Sequence, residues 1–128
     1  MGSPGIVTNE LVVVRGQSKK WLLTVTDEDG VAYSLESGEV RMSVKKDEKA
    51  DKAGIYKVST DTDEIEIVTP QTDEGNTGKA YIYLKPADTI ALEPGDYWYD
   101  VWVKNAAGDW SPVVKKARFT IEWSITVF

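Results

Sequence analysis

The chain has 128 residues and a net charge of −6, and it contains neither cysteine nor histidine. This length fits one domain that folds around its own core without disulfides. The two missing residue types exclude thiolate zinc sites, cysteine nucleophiles and histidine general bases, and the negative charge argues against a nucleic-acid partner.

Apolar and polar side chains alternate along most of the chain, and no stretch keeps a helical period of 3.6 residues. This pattern predicts an all-β protein. A single helical turn is predicted near 86–92, because Pro86 suits a first helical turn and Pro94-Gly95 ends it. The predicted strands cover 10–15, 20–26, 40–46, 56–60, 64–68, 79–84, 96–104 and 113–127, the last broken by a bend.

Seven to eight short strands separated by turns are typical of an immunoglobulin-like two-sheet sandwich. We expect residues 1–9 to be a disordered or tag-derived segment and 10–128 to be one β-sandwich domain. The predicted core-facing residues are Trp21, Leu23, Val25, Val40, Met42, Val44, Ile65, Ile67, Ala80, Ile82, Leu84, Tyr97, Tyr99, Val101, Val103, Phe119, Ile121 and Trp123.

The sequence offers little for catalysis or for metal binding. The acidic stretches 27–30 and 61–64 place Val31 and Ile65 where an EF-hand loop needs an oxygen ligand, so we interpret both as turns. The stretch 75–79 fails as a phosphate loop because its glycines are too close and Ala80 follows Lys79. We therefore expect no enzyme activity, no cofactor, no metal site and no membrane-spanning segment.

Aromatic residues on the outward side of their strands are the best functional lead. Trp98 and Trp102 alternate with the core residues of their strand, and Tyr81 and Tyr83 do so in theirs. If the two strands share a sheet, these four residues form one contiguous patch. Such a patch is a candidate protein interface or a platform for sugar rings; the third interpretation is a second core covered by a loop or by the bent final strand.

Three stretches, 15–35, 40–46 and 78–110, resemble the immunoglobulin-like modules of tailed-bacteriophage baseplate and tail proteins, including upper-baseplate proteins. The most specific part is the helical turn followed by "PGDYWYDV". The matching residues are Pro86, Thr89, Leu92, Pro94, Gly95, Tyr97, Tyr99, Asp100 and Val101.

The resemblance implies a non-enzymatic structural component of a virion, assembled in the bacterial host cytoplasm. Its partners would be other virion subunits or a second copy of the chain, with Trp98, Trp102, Tyr81 and Tyr83 as candidate interface residues. One alternative is a carbohydrate-binding module that contacts host-surface glycans through the same rings. Another is an adhesin or spacer domain that does neither.

Overall fold

The computed structural model describes residues 10–47, 49–50 and 52–126. The predictions for residues 1–9 and for Val127 lie outside this part of the chain. Eight strands and one short helix make up the described fold, which confirms the all-β prediction. In chain order they are β1 (Leu11–Val14), β2 (Lys19–Thr24), β3 (Glu39–Lys45), β4 (Ile55–Val58), β5 (Ile65–Ile67), β6 (Lys79–Leu84), α1 (Pro86–Ile90), β7 (Gly95–Lys104) and β8 (Trp110–Glu122).

The strands form two sheets. The five-stranded sheet has the order β1-β8-β7-β3-β4, and the three-stranded sheet has the order β2-β6-β5. All neighbouring strands are antiparallel except β1, which runs parallel to β8. The two sheets pack face to face, and this arrangement confirms the predicted sandwich.

The core lies between the inner faces of the sheets, as the alternation predicts. Phe119 of β8 is fully buried, and its ring meets the edges of Trp21 and Tyr99 at centroid distances of 6.1 and 6.2 Å. The contact with Trp21 of β2 joins the three-stranded sheet to the five-stranded sheet, whereas Tyr99 is on β7, next to β8. A buried phenylalanine of this kind contributes about 1.5–3 kcal/mol through burial alone.

Two features of the core differ from the prediction. Trp123 is 71% exposed, because β8 ends at Glu122 and the inward alternation ends with it. Conversely, Tyr33 and Leu35 are buried although they lie in a connection rather than in a strand. Parity along a strand carries no information about a connection that folds back over the core.

The predicted bend in the last strand is a pair of irregularities in the β7–β8 register. Between Tyr99 and Trp102 of β7, the partners on β8 step from Ala117 to Pro112, so β8 carries extra residues there. Val113 and Val114 are consequently both buried, and the next two lysines are both exposed. Such bulges increase the local twist and redirect side chains.

The helix α1 carries the chain from one sheet to the other and ties three segments together. Asp88 accepts hydrogen bonds from the Lys85 backbone N–H at 2.8 Å and from the buried Lys57 Nζ at 2.7 Å. The buried Thr89 hydroxyl accepts a hydrogen bond from the Gly16 N–H at 2.8 Å, and Arg15 donates to the Ile90 carbonyl. The helix therefore fixes the turn between β1 and β2 and one end of β4.

Tyr97 stabilises the entry of the chain into β7. Its hydroxyl donates to the Glu93 carbonyl at 2.7 Å, four residues upstream. This contact has the form of the tyrosine corner found at the start of strand F in immunoglobulin-like domains. Tyr97 thus has a hydrogen-bonding role as well as the predicted core role.

A buried amide organises the connection between β5 and β6. Gln71 Oε1 accepts the N–H groups of Leu35 and Gly78, each at 2.9 Å, and its Nε2 donates to the Val68 and Asn76 carbonyls. Gly78 has a φ of +79°, and a Cβ there would lie 2.4 Å from the Val25 carbonyl oxygen, so this position requires glycine. The side-chain amide of Gln71 therefore bonds backbone N–H and C=O groups that a neighbouring strand would otherwise pair.

Replacement of Gln71 by alanine is expected to lower the free energy of unfolding by roughly 2–4 kcal/mol, because two buried N–H groups lose their acceptor. Urea unfolding measures the loss. The same replacement at Gln17, whose Oε1 accepts one exposed N–H from Val14, is the control, with an expected loss of about 1 kcal/mol or less. Equal losses at the two positions would contradict the role of Gln71.

Alkaline unfolding is expected to depend on Tyr99. Burial raises the pKa of Tyr99 from 10.0 to about 12. The unfolded chain therefore releases this proton first, and the stability present below pH 10 is lost as the pH rises through about 12. Tyr99→Phe should flatten the fall in unfolding free energy between these pH values, and a fall as steep as that of the unmodified chain would contradict this role of Tyr99.

Candidate docking surface

The four aromatic residues predicted to form a surface patch lie on opposite sides of the sandwich. Trp98 and Trp102 are on β7 in the five-stranded sheet, whereas Tyr81 and Tyr83 are on β6 in the three-stranded sheet. The condition for one contiguous patch is therefore not met. The cause is α1, which moves the chain between sheets after β6.

All four rings retain contact with solvent. Trp102 is 37% exposed, and the other three are half-buried. This exposure is at odds with the interpretation of the rings as a second core within the described part of the chain. Each ring does point outward, as the alternation predicts.

The larger aromatic surface belongs to the five-stranded sheet. Two aromatic residues that the sequence argument did not single out, Tyr56 on β4 and Trp110 on β8, lie on the same outward side as Trp98 and Trp102. We call this surface the outer face; its aromatic members are Tyr56, Trp98, Trp102 and Trp110. Tyr56 is 49% and Trp110 37% exposed.

The register across the sheet brings these residues together. Arg41 of β3 lies directly opposite Trp102, and Ser43 lies between Tyr56 and Asp100 on its two neighbouring strands. A shallow depression of about 410 Å³ results at the centre of the outer face. Its lining consists of Arg41, Ser43, Tyr56, Asp100, Trp102 and Trp110.

Cationic side chains cover two of the tryptophan rings. The Arg41 guanidinium lies 4.6 Å from the Trp110 ring centroid, and Lys104 Nζ lies 5.5 Å from it. Lys116 Nζ is 4.6 Å and the Arg118 guanidinium is 5.8 Å from the Trp98 centroid. Each contact is a favourable cation–π interaction that also orders the ring.

Trp102 is held differently. Its indole Nε1–H donates to Asp100 Oδ2 at 3.1 Å. Asp100 thus accepts a hydrogen bond from an aromatic residue of the same face. Among the described residues, lysine and arginine side chains lie over the rings of Trp98 and Trp110 but not over the ring of Trp102.

The outer face is basic although the whole chain is acidic, with a net charge of −6. Strands β3, β7 and β8 place more basic than acidic side chains on the outward side. The basic residues are Arg41, Lys45, Lys104, Lys115, Lys116 and Arg118, and the acidic residues are Glu39, Asp96, Asp100 and Glu122. Most acidic residues of the chain lie outside the strands and account for the overall negative charge.

The tyrosines on the three-stranded sheet form a smaller and more polar surface. The Tyr83 hydroxyl donates to Glu66 Oε1 at 2.9 Å, and this hydrogen bond is the main cause that raises the pKa of Tyr83. Lys20 Nζ lies 4.1 Å from the Tyr81 centroid. Each tyrosine therefore already has a partner within its own sheet.

Sequence reasoning missed Tyr56, Trp110 and Arg41 as members of the outer face. The alternation does assign Tyr56 to the side opposite Ile55 and Lys57, but only the pairing of β4 with β3 places it near Trp102. Trp110 precedes the irregular part of β8, so parity counted from Phe119 does not reach it. These residues become neighbours only through long-range pairing.

Carboxylates in the acidic stretches 27–30 and 61–64 accept hydrogen bonds from backbone N–H groups of their own turns. Asp27 Oδ1 accepts the backbone N–H groups of Asp29 and Val31, and Asp61 Oδ1 accepts that of Asp63. Within the described ranges, no group of three or more potential metal ligands is present. Over the same ranges, no helix has the length and hydropathy needed to cross a bilayer.

Comparison with known proteins supports the fold. No family model and no curated protein sequence matches the chain. Among solved structures, CopC from Methylosinus trichosporium OB3b superposes with a TM-score of 0.52 at 11% identity, covering 98% of this chain and 100% of CopC. The chain is an immunoglobulin-like β-sandwich.

Two further solved structures are similar at lower scores. Murine CRIg has a TM-score of 0.45 at 10% identity, with 96% of this chain and 99% of CRIg covered. The sialic-acid-binding region of an adhesin from Streptococcus sanguinis SK1 has a TM-score of 0.47 at 16% identity, with 95% and 30% covered. At such identities the similarity concerns the fold and not the activity.

Proposed function

We propose that this chain is a non-enzymatic docking module of a tailed-phage particle or of a phage-derived tail, and that it binds an acidic protein partner through the outer face. The observation that carries the proposal is the set of cation-covered tryptophans on a basic surface. Tryptophan, tyrosine and arginine are the residues most enriched among the hot spots of protein interfaces.

The arrangement of the rings favours a protein partner over a sugar. A sugar ring stacks on the open face of an aromatic side chain, but Arg41 occupies a face of Trp110 and Lys116 occupies one of Trp98. An acidic protein surface can instead pair with those cations while its apolar side chains contact the ring edges. The basic residues around the rings would also speed the encounter with such a partner.

The sequence resemblance supports the assignment to a virion or tail. The residues that carry it, from Pro86 to Val101, form α1 and the first half of β7. They set the path of the strand that presents Trp98 and Trp102. The same segment therefore supplies both the resemblance and the centre of the proposed interface.

A carbohydrate-binding function is the second candidate, and Trp102 is the observation that favours it. Its ring face is accessible, and hydrogen-bonding groups of Arg41, Ser43 and Asp100 surround it in a depression of about 410 Å³. This volume is within the range of small-ligand sites. In this case a single sugar unit would stack on Trp102.

Paired replacement of Trp98 and Trp102 by alanine is expected to abolish docking and to leave the fold intact, because both rings lie outside the core. The tagged chain can be co-expressed with the proteins encoded beside its gene and purified for pull-down. The proposal is supported if a co-expressed protein binds the unmodified chain, is released at high salt and does not bind the paired variant. Circular dichroism and thermal unfolding check the fold of the variant.

The paired replacement of Tyr81 and Tyr83 by alanine is the matched control, since it removes two aromatic rings from the opposite sheet. This variant should bind the partner as the unmodified chain does. If the control lost binding and the tryptophan variant kept it, the interface would lie on the three-stranded sheet, and the proposal would be contradicted. Glycan-array binding that disappears with Trp102→Ala would favour the carbohydrate function instead.

A further inference from the structure

A second depression lies beside the first one on the outer face, next to Trp98. Its volume is about 180 Å³. Its lining consists of Ser43, Lys45, Trp98, Tyr99, Asp100, Lys115 and Lys116. We call it the lysine depression, and we call the one of about 410 Å³ that contains Tyr56, Trp102 and Trp110 the aromatic depression.

The two depressions adjoin each other because two residues line both of them. Ser43 of β3 and Asp100 of β7 lie opposite each other, and both residues belong to both linings. The aromatic depression lies between Asp100 and Trp102, and the lysine depression lies between Asp100 and Trp98. The centres of the depressions are therefore about two strand residues, or roughly 7 Å, apart along β7.

The irregular part of β8 gives the lysine depression two of its lysines. Asp100 lies within the irregular part of the β7–β8 register, opposite the stretch of β8 that contains Lys115 and Lys116. In a regular strand, consecutive side chains point to opposite faces, so only one of two neighbouring lysines would point outward. Here both are exposed. The bulged stretch therefore doubles the positive charge that β8 places beside Asp100.

The two depressions differ in charge. The lysine depression contains three lysines and one carboxylate, that of Asp100, so it has an excess of two positive charges. The aromatic depression contains Arg41 and the same carboxylate, and these charges balance. Neither Lys45 nor Lys115 forms an ion pair with a carboxylate of the residues that the structure describes. A concave surface with an excess of one sign of charge attracts groups of the opposite sign.

We infer that the outer face recognises two side chains of one extended segment of its protein partner. A large apolar or aromatic side chain occupies the aromatic depression, and a carboxylate two residues away occupies the lysine depression. In an extended segment these two side chains point to the same side about 7 Å apart, which matches the spacing of the depressions. The inference rests on the proposed docking function and specifies the chemistry of the partner.

Pentapeptides with blocked ends provide the probes. Ser-Phe-Ser-Glu-Ser and Ser-Glu-Ser-Phe-Ser present the two side chains two residues apart, in the two chain directions. Their isomer Ser-Ser-Phe-Glu-Ser has the same composition, but its adjacent side chains point to opposite sides of an extended chain. NMR titration of the isotope-labelled protein, with up to about 10 mM peptide, covers the weak affinity of so few contacts.

At least one of the two spaced peptides should bind about fivefold more tightly than the isomer, because the isomer places only one of its side chains in a depression at a time. The bound peptide should shift the amide signals of Lys115 and Lys116 and the indole Nε1–H signal of Trp102.

Variants of the chain assign each side chain to its depression. Lys45→Gln combined with Lys115→Gln should weaken the spaced peptide about fivefold and should bind it no better than its analogue with Gln in place of Glu. Trp102→Ala should weaken it about tenfold and should not distinguish it from the analogue with Ala in place of Phe. Lys20→Gln combined with Lys79→Gln removes the same charge from the three-stranded sheet and should have no effect. Thermal unfolding checks the fold of each variant.

Several results would overturn the inference. They are the absence of peptide binding, equal binding of the spaced peptides and the isomer, and equal weakening by the control pair Lys20→Gln and Lys79→Gln. Inorganic phosphate that shifts the Lys115 and Lys116 amides as strongly as the peptide would also overturn it, since the site would then accept any small anion.

Failure of the proposed function gives a different result. If a co-expressed protein binds through the outer face but the peptides lack the expected preferences, only this inference is overturned. If the peptides show those preferences but no co-expressed protein binds, the inference is supported and the assignment to a virion or tail is contradicted.

Discussion

Strand β7 has to satisfy two environments at once, and the rest of the structure depends on how it does so. It lies at the centre of the five-stranded sheet, where its residues alternate strictly between the core and the outer face. Tyr97, Tyr99, Val101 and Val103 fill the core, and Trp98, Asp100 and Trp102 form the middle of the proposed interface. A shift of one residue would exchange the two sets, so the same register maintains both the core and the surface.

The contacts around α1 hold β7 in this register. The crossing between sheets is fixed by Asp88 and Thr89 on one side and by the hydrogen bond from Tyr97 to the Glu93 carbonyl on the other. Buried polar groups of this kind are costly unless every partner is present. Their joint satisfaction specifies where β7 begins, and the positions of the outward tryptophans follow from that.

Local pattern predicted the elements of this fold well, because strand alternation and a proline-initiated helical turn are properties of neighbouring residues. It does not determine which strands share a sheet, so it leaves open a single patch with Tyr81 and Trp98, whereas in the structure their strands belong to different sheets. It also failed where alternation stops, as at Trp123 beyond the end of β8. Gln71 and Leu35 are both buried and are joined by a hydrogen bond between residues distant in sequence, which the alternation of side chains does not predict. The outer face was accordingly half predicted: Trp98 and Trp102 follow from parity, whereas Arg41, Tyr56 and Trp110 join them through strand pairing.

The extra residues in β8 separate two groups of side chains within one strand. Phe119 and Ile121 follow the bulged stretch and pack in the core, whereas Trp110 precedes it and lies on the outer face. A residue gained or lost at 112–116 would change the distance along the strand between the two groups, and it would also displace Val113 and Val114, which are buried in the core with Phe119. The spacing of the outer face along β8 is therefore coupled to the packing of the core, and substitution alters this surface with less disturbance than insertion or deletion.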